Sequence, residues 1–249
     1  MTPAELLEAF AEAAAAQRKA LSTLTGVERR ARTPRDGQYH LDTVADAAVL
    51  PVLGRYPVRV LSEESEWSGP RDADITVVVD PVDGSTNCAR GIPYWGISLC
   101  ALDADGPVCA YVENGATGAC YTAVTGEGAW LDGEPLAPSD VTDIPRAVVA
   151  IVAMPPRKLP WRQFRSLGSA ALALCDVAAG GLDAFLDFSD GMHRPWDYLG
   201  GLLVCRESGA SVTDAHDREL VAVDPSVQRQ PLAAGTPELL DALRAAVVP

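Results

Sequence analysis

The strongest constraint on the fold is the run Ile75-Thr76-Val77-Val78-Val79, which stops at Asp80-Pro81-Val82-Asp83-Gly84-Ser85. Branching at Cβ favours extended backbone, and apolar residues without polar alternation mark a strand covered on both faces. Such a strand needs a layer of structure on each side, which fits a layered α/β chain.

The flanking sequence supplies the layers. Residues 3 to about 25 predict an opening helix, with Pro3 in its first turn, Leu6, Leu7, Phe10, Ala13, Ala14 and Leu21 on one stripe, and Gly26 at its end. The polar stretch 33–39 predicts a loop. Residues 44–53 predict a second helix closed by Gly54, and residues 58–61 a short strand running into Ser62-Glu63-Glu64-Ser65. Four strands follow near 96–102, 107–114, 119–124 and 128–131, separated by glycine-rich hairpin signals. Beyond the proline-rich stretch 135–145 the pattern alternates. It predicts a strand at 147–153, a helix at 168–179, a strand at 182–187, a helix at 196–207 and a closing helix from Pro237. The 249 residues are expected to form one domain in two structural halves, about 1–137 and 138–249.

Charge limits the partners. There are 34 acidic and 20 basic residues, a formal net of −14, and such a surface repels phosphate backbones and anionic lipid. Neither nucleic acid nor membrane is therefore an expected partner. The six cysteines (Cys88, Cys100, Cys109, Cys120, Cys175, Cys205) form no CxxC pair and sit mostly in apolar runs. They are expected to be reduced thiols packed as small hydrophobes. The first thirty residues lack a basic region followed by an apolar one, and no apolar stretch approaches the roughly 20 residues that span a bilayer. A cytoplasmic location is the expectation.

The acidic residues are not spread evenly. Residues 42–83 hold nine (Asp42, Asp46, Glu63, Glu64, Glu66, Asp72, Asp74, Asp80, Asp83) against three arginines, a local net of −6. Carboxylates at the ends of adjacent buried strands repel one another unless cations neutralise them, because burial makes unpaired charge expensive. Hard divalent cations with oxygen ligands answer that need, and Mg²⁺ keeps waters that a phosphate can replace. In the same segment Pro81 stiffens the turn, so that the Val82 carbonyl would face the same ion. Gly84 admits close backbone approach, and Ser85 or Thr86 would cap a following helix whose free N–H groups suit an anion. Taken alone, the string is equally compatible with an ordinary turn. Glu66, Asp72 and Asp74 read as solvated loop charges, and His193 and Arg194 as surface groups.

Asp-Pro-Val-Asp-Gly-Ser-Thr-Asn at 80–87 resembles the DPIDGTxN signature of the inositol monophosphatase family, and Glu63-Glu64-Ser65 resembles that family's GEES segment. Trp196-Asp197-Tyr198-Leu199-Gly200-Gly201, followed by Glu207-Ser208-Gly209-Ala210, is similar to the second signature WDxAAG…EAGG. Gly168-Ser169-Ala170-Ala171 resembles the GTAA helix start, and Leu41-Asp42-Thr43-Val44-Ala45-Asp46 the LVTxTD segment. The five segments fall in the family's order over roughly residues 35–215.

The resemblance implies an α/β fold, a layered αβαβα sandwich of the inositol monophosphatase and sugar phosphatase type, and Mg²⁺-dependent hydrolysis of a phosphate monoester. Glu63, Asp80 and the Val82 carbonyl would hold one metal, and Asp80, Asp83 and Asp197 a second. Glu63, with Glu64 behind it, would support a third. Asp46 and the Ser85 hydroxyl match the pair that positions and deprotonates the attacking water. The N–H groups of Gly84 and Ser85 would bind phosphate, and Gly168, Ala170 and Asp190 would meet the alcohol portion, with Asp83 and Asp197 nearby. Arg35 stands where the family often has lysine.

The pattern departs from the signatures at Ser85 for threonine, Cys88 for an aromatic residue and Leu199 for alanine. The segment Arg90-Gly91-Ile92-Pro93-Tyr94-Trp95 resembles histidinol-phosphatase-like branches as much as inositol phosphatases. Inositol monophosphate is therefore the first expected substrate. Histidinol phosphate is the alternative, followed by fructose 1,6-bisphosphate or a nucleotide 3′-phosphate. A regulatory or RNA-associated member without essential catalysis is the contrasting class. Lithium inhibition and homodimers are further family properties.

Overall fold

In the computed structural model, which describes residues 1–189 and 192–247, the first half of the chain builds one large sheet. Its elements are α1 (Pro3–Ser22), α2 (Gly26–Arg30), α3 (His40–Leu53), β1 (Val58–Ser62), β2 (Glu66–Ser68), β3 (Ile75–Asp83), α4 (Ser85–Arg90), β4 (Gly96–Asp103), β5 (Gly106–Asn114), β6 (Cys120–Val124), β7 (Gly128–Leu131) and β8 (Glu134–Pro135). The eight strands lie in the order β2-β1-β3-β4-β5-β6-β7-β8; β1 and β3 run parallel and every other pairing is antiparallel.

The second half adds β9 (Val148–Val152), β10 (Gln163–Arg165), α5 (Ala170–Ala178), β11 (Ala184–Asp187), α6 (Pro195–Ser208), β12 (Ser211–Asp214), β13 (Pro231–Ala234) and α7 (Pro237–Val247). Its five strands are ordered β10-β9-β11-β13-β12.

Packing stacks these pieces in five layers. On one face of the large sheet, Leu6, Phe10, Val49 and Leu53 of α1 and α3 bury against Val58, Val77, Val79 and Ile97. On the other, Val78, Cys100 and Val112 meet α5 and α6 through Ala171, Leu174, Leu199 and Leu202, which also cover Phe185 and Ala233 of the small sheet. The outer face of the small sheet is closed by Leu239, Leu240 and Leu243 of α7. The αβαβα order that the resemblance implies is thus realised, because each sheet has an apolar face on both sides. Helix α6 is buried all round and approaches its neighbours closely. A Cβ at Gly200 would lie 2.6 Å from Ser98 Oγ, and one at Gly201 2.6 Å from Leu174 Cβ.

Several boundaries move for local reasons. Helix α1 ends at Ser22, and Gly26 opens α2 instead of closing α1, because Thr25 and Glu28 form a capping box. Helix α3 begins at His40, four residues before the expected start, since Asp42 reaches back to the Tyr39 N–H at 2.7 Å. Strand β3 does not stop at Val79 but carries Asp80 to Asp83 through an irregularity in its pairing with β4. Gly84, in the left-handed region at φ 94°, is the N-cap residue of α4, so neither Ser85 nor Thr86 caps it; the Ser85 hydroxyl donates back to the Val82 carbonyl. Strands β2, β10, β12 and β13 are short and were not legible as strands. All six cysteines are free, and all but Cys120 are buried.

Candidate active site

The parallel pairing of β1 with β3 creates the site. Ser62 stands opposite Val79, so the residues that follow, Glu63 and Asp80, leave the sheet side by side. Asp197 arrives from the start of α6, where Pro195 opens the helix and the Asp197 carboxylate accepts the Arg194 N–H at 2.6 Å. Oxygen atoms of Glu63, Asp80 and Asp197 all lie within 4.8 Å of one another. The Val82 N–H donates to Asp80 Oδ1 at 2.8 Å, folding the turn around that carboxylate.

Burial, first of all, pushes the carboxyls of Glu63, Asp80 and Asp197 upward; Asp197 and Glu64 raise Glu63 further, and Glu63 and Asp83 raise Asp80. Asp83 rises to about 6, again mainly by burial, against the hydrogen bond from Ser169. Three mutually repelling, all-oxygen groups at this spacing fit a hard divalent cation, which would neutralise them where they stand. Asp83 stands apart from that trio. Its Oδ2 accepts from Ser169 Oγ at 2.6 Å and from the Ala171 N–H at 2.7 Å.

Two cavities meet at the cluster. One, of about 370 Å³, is lined by Glu63, Asp83, Gly168, Ala170, His193 and Asp197 among others, and the second, of about 180 Å³, by Arg35, Gln38, Asp42, Glu63, Glu64 and Ser85. The expected contacts Gly168, Ala170, Asp83 and Asp197 therefore share one cavity. Gly84 lies beneath it, where a Cβ would come 3.0 Å from the Gly168 carbonyl. Asn87 donates to the carbonyls of Tyr94 and Leu167 at 2.7 Å each, tying the α4 turn to the loop before α5. Asp190 lies outside the described residues.

The residue paired with Ser85 in the expectation is Asp46, but the structure sets Asp42 there. Asp46, one helical turn deeper, accepts from Ser62 Oγ at 2.6 Å and lines neither cavity. Asp42 lines the smaller cavity with Ser85, its Oδ1 is buried without a hydrogen-bond partner, and burial raises its carboxyl while the Ser85 hydroxyl favours its ionised form. The cause is the early start of α3: Asp42, at the third helical position, faces the turn, which a segment-level match to LVTxTD does not reveal. Glu64 is held by Gln38 and by Arg35 Nη1 at 3.3 Å, and Arg35 also spans the carbonyls of Glu63 and Glu64.

His193, expected at the surface, is 9% exposed, and its Nδ1 donates to Asp187 at 2.7 Å. Burial disfavours the charged ring, but Asp187, Asp197 and Asp83 outweigh it and raise its titration. Glu66, Asp72 and Asp74 are exposed, as expected of solvated charges. No helix among the described residues is long and apolar enough to cross a membrane.

The comparisons agree with this geometry. The family model described as "Inositol monophosphatase family" matches residues 4–248. A "Fructose-1,6-bisphosphatase/inositol-1-monophosphatase" of Archaeoglobus fulgidus is 38% identical over 183 residues, 72% of this chain and 71% of that one. "Nus factor SuhB" of Escherichia coli K12 is 31% identical over 250 residues, 91% of this chain and 92% of that one. A solved Pyrococcus horikoshii protein, described as hypothetical with similarities to inositol-1 monophosphatase, superposes with TM-score 0.89 at 25% identity over 99% of both chains. With the motifs, the layered fold and the acidic cluster all in register, the chain belongs to the inositol monophosphatase family.

Proposed function

We propose that this chain is a Mg²⁺-dependent phosphatase that hydrolyses a small phosphate monoester, inositol monophosphate first among them. The observation that carries the reading is the convergence of Glu63, Asp80 and Asp197 within 4.8 Å beside a cavity of about 370 Å³. These three, with Asp83 and the Val82 carbonyl, would hold two or three Mg²⁺ ions. Bound Mg²⁺ supplies charge neutralisation for the ester and lowers the pKa of coordinated water.

The chain's own residues do the rest. Asp42 takes the proton of the attacking water, and Ser85 orients that water from the turn. The Gly84 and Ser85 N–H groups hold the phosphate, and Gly168, Ala170, Asp83 and Asp197 surround the alcohol portion. Glu64, pinned by Gln38 and Arg35, supports Glu63 from behind. Inhibition by Li⁺, a homodimeric assembly and a cytoplasmic location belong to the same reading.

The likeness to a protein named Nus factor SuhB favours a second reading, in which binding to a partner matters more than turnover. Phosphate release separates the two. We expect Mg²⁺-dependent release from inositol 1-phosphate that exceeds release from histidinol phosphate, fructose 1,6-bisphosphate and a nucleotide 3′-phosphate. Turnover that persists in excess chelator would contradict the metal requirement, a different ester leading the series would reassign the substrate, and no release from any ester would favour the second reading.

A further inference from the structure

The wall of the larger cavity carries a dyad that the family's signatures do not include. His193 lines that cavity, and its ring is fixed on two sides. Nδ1 lies 2.7 Å from Asp187 Oδ2, and the ring edge meets Phe185 at a centroid distance of 6.1 Å. Asp187 is itself immobile: it is fully buried, its Oδ1 accepts from the Ser189 N–H at 2.7 Å and from the Ser189 hydroxyl, and its carbonyl accepts from Gln230 Nε2 at 2.7 Å. With Nδ1 committed, Nε2 carries no hydrogen bond among the described residues. A buried imidazole oriented by a carboxylate, with its second nitrogen free at a cavity wall, is a preorganised hydrogen-bonding group.

The chemistry of the wall selects what it meets. The same cavity presents the carboxylates of Glu63, Asp83 and Asp197 against one guanidinium, that of Arg194, which also donates to the Pro225 carbonyl, so the balance of charge on its described lining disfavours a second anion. The rim is apolar, formed by Val152, Trp196 and an exposed Met192, and suits the C–H face of a carbon skeleton. A neutral hydroxyl satisfies both requirements. Because a hydroxyl both donates and accepts, it pairs with Nε2 whether the ring is neutral or protonated.

We propose that His193, positioned by Asp187, determines substrate specificity by hydrogen-bonding a hydroxyl on the alcohol portion of the phosphate ester, an inference that rests on the phosphatase reading above. Asp187 is a positioning residue, and His193 is the group that touches the substrate.

The test compares inositol 1-phosphate, rich in hydroxyls, with p-nitrophenyl phosphate, which has none, in the full chain with Mg²⁺. For His193→Leu, and for Asp187→Ala, which removes the partner of Nδ1, the ratio of kcat/KM for the first ester over the second falls about tenfold, the weight of one hydrogen bond, mostly through KM. His193→Gln, whose amide reaches about as far as Nε2, recovers part of the ratio. Equal losses on both esters would assign the dyad a purely structural role and overturn the proposal, as would an unchanged ratio. No turnover of either ester by the unaltered protein would overturn the phosphatase reading, and the proposal with it.

Discussion

Ser169 Oγ donates to Asp83 Oδ2 at 2.6 Å, across 86 residues of chain, and the Ala171 N–H reaches the same oxygen at 2.7 Å. The start of α5 therefore fixes the end of β3, and the helix layer between the two sheets is tied to the large sheet at one carboxylate oxygen. The other oxygen of Asp83 remains for the cavity. A side chain held this way holds its orientation without a ligand, which is the condition for a low reorganisation cost in a reaction.

Asp83 separates fold from function. In Asp83→Asn the amide oxygen still accepts from Ser169 and Ala171, so thermal unfolding should stay within a few degrees of the parent. Turnover should fall more than about 100-fold, because a neutral amide does not replace an anionic ligand. Ser169→Ala keeps the charge and loses the tether. It should lower kcat about tenfold and cost about 1 kcal/mol of stability. Steady-state kinetics and a melting curve for the two variants check both statements.

Asp42 and Asp46 lie one helical turn apart and make opposite predictions. Asp42→Asn removes the group facing Ser85 and should cost about 100-fold or more in kcat, the usual weight of a positioned general base. Asp46→Asn preserves an acceptor for Ser62 Oγ and should cost less than about tenfold. The assignment fails if the two losses are reversed.

This pair also shows where the sequence was legible. The buried run at 75–79, the four-strand meander and the amphipathic stripe of α1 are periodic signals, and all of them stand in the fold. Glu63, Asp80 and Asp197 sit in compact motifs and converge as expected. What was hidden depends on distant contacts. Whether Asp42 or Asp46 meets Ser85 turns on where α3 starts, and that is set by Asp42 capping Tyr39. His193 read as a surface group because its partners Asp187, Phe185 and Arg229 come from other strands and loops. Strands β12 and β13 escape a reading by periodicity because strands of four residues carry too few alternations.

Burial raises the site's carboxyls, so folding should be linked to pH and to cations in opposite senses. The Asp83 carboxyl titrates at about 6 in the folded chain against 3.8 as its ordinary value. Its folded state therefore binds a proton that the unfolded chain has released. That contribution to stability is full below the ordinary value and is lost as pH rises through the raised one; Glu63, Asp80 and Asp197 shift the same way. Chelator-treated protein should melt several degrees higher near about pH 5 than near about pH 7.5. Added Mg²⁺ should raise the melting temperature more at the higher pH, since cations bind the ionised form. Calorimetry at both pH values reads the two slopes, and an equal Mg²⁺ effect at both would contradict the linkage.

Gly84 and Gly91 bracket α4, both in the left-handed region at φ 94° and 72°. At Gly91 a Cβ would meet nothing within 4 Å, so Gly91→Ala costs only backbone strain, about 1 kcal/mol. At Gly84 it would lie 3.0 Å from the Gly168 carbonyl, 3.1 Å from the Tyr94 carbonyl and 3.2 Å from Trp95 Cα. All three neighbours are backbone, and the loop at Gly168 is tied to α4 through Asn87, so the contact has nowhere to relax. Gly84→Ala should therefore destabilise by about 1–2 kcal/mol more than Gly91→Ala. It should also lower turnover at least about tenfold, because separating the turn from Gly168 misplaces groups on both sides of the phosphate. Equal melting temperatures and equal activities for the two variants would show that the close approach at Gly84 is not what its glycine serves.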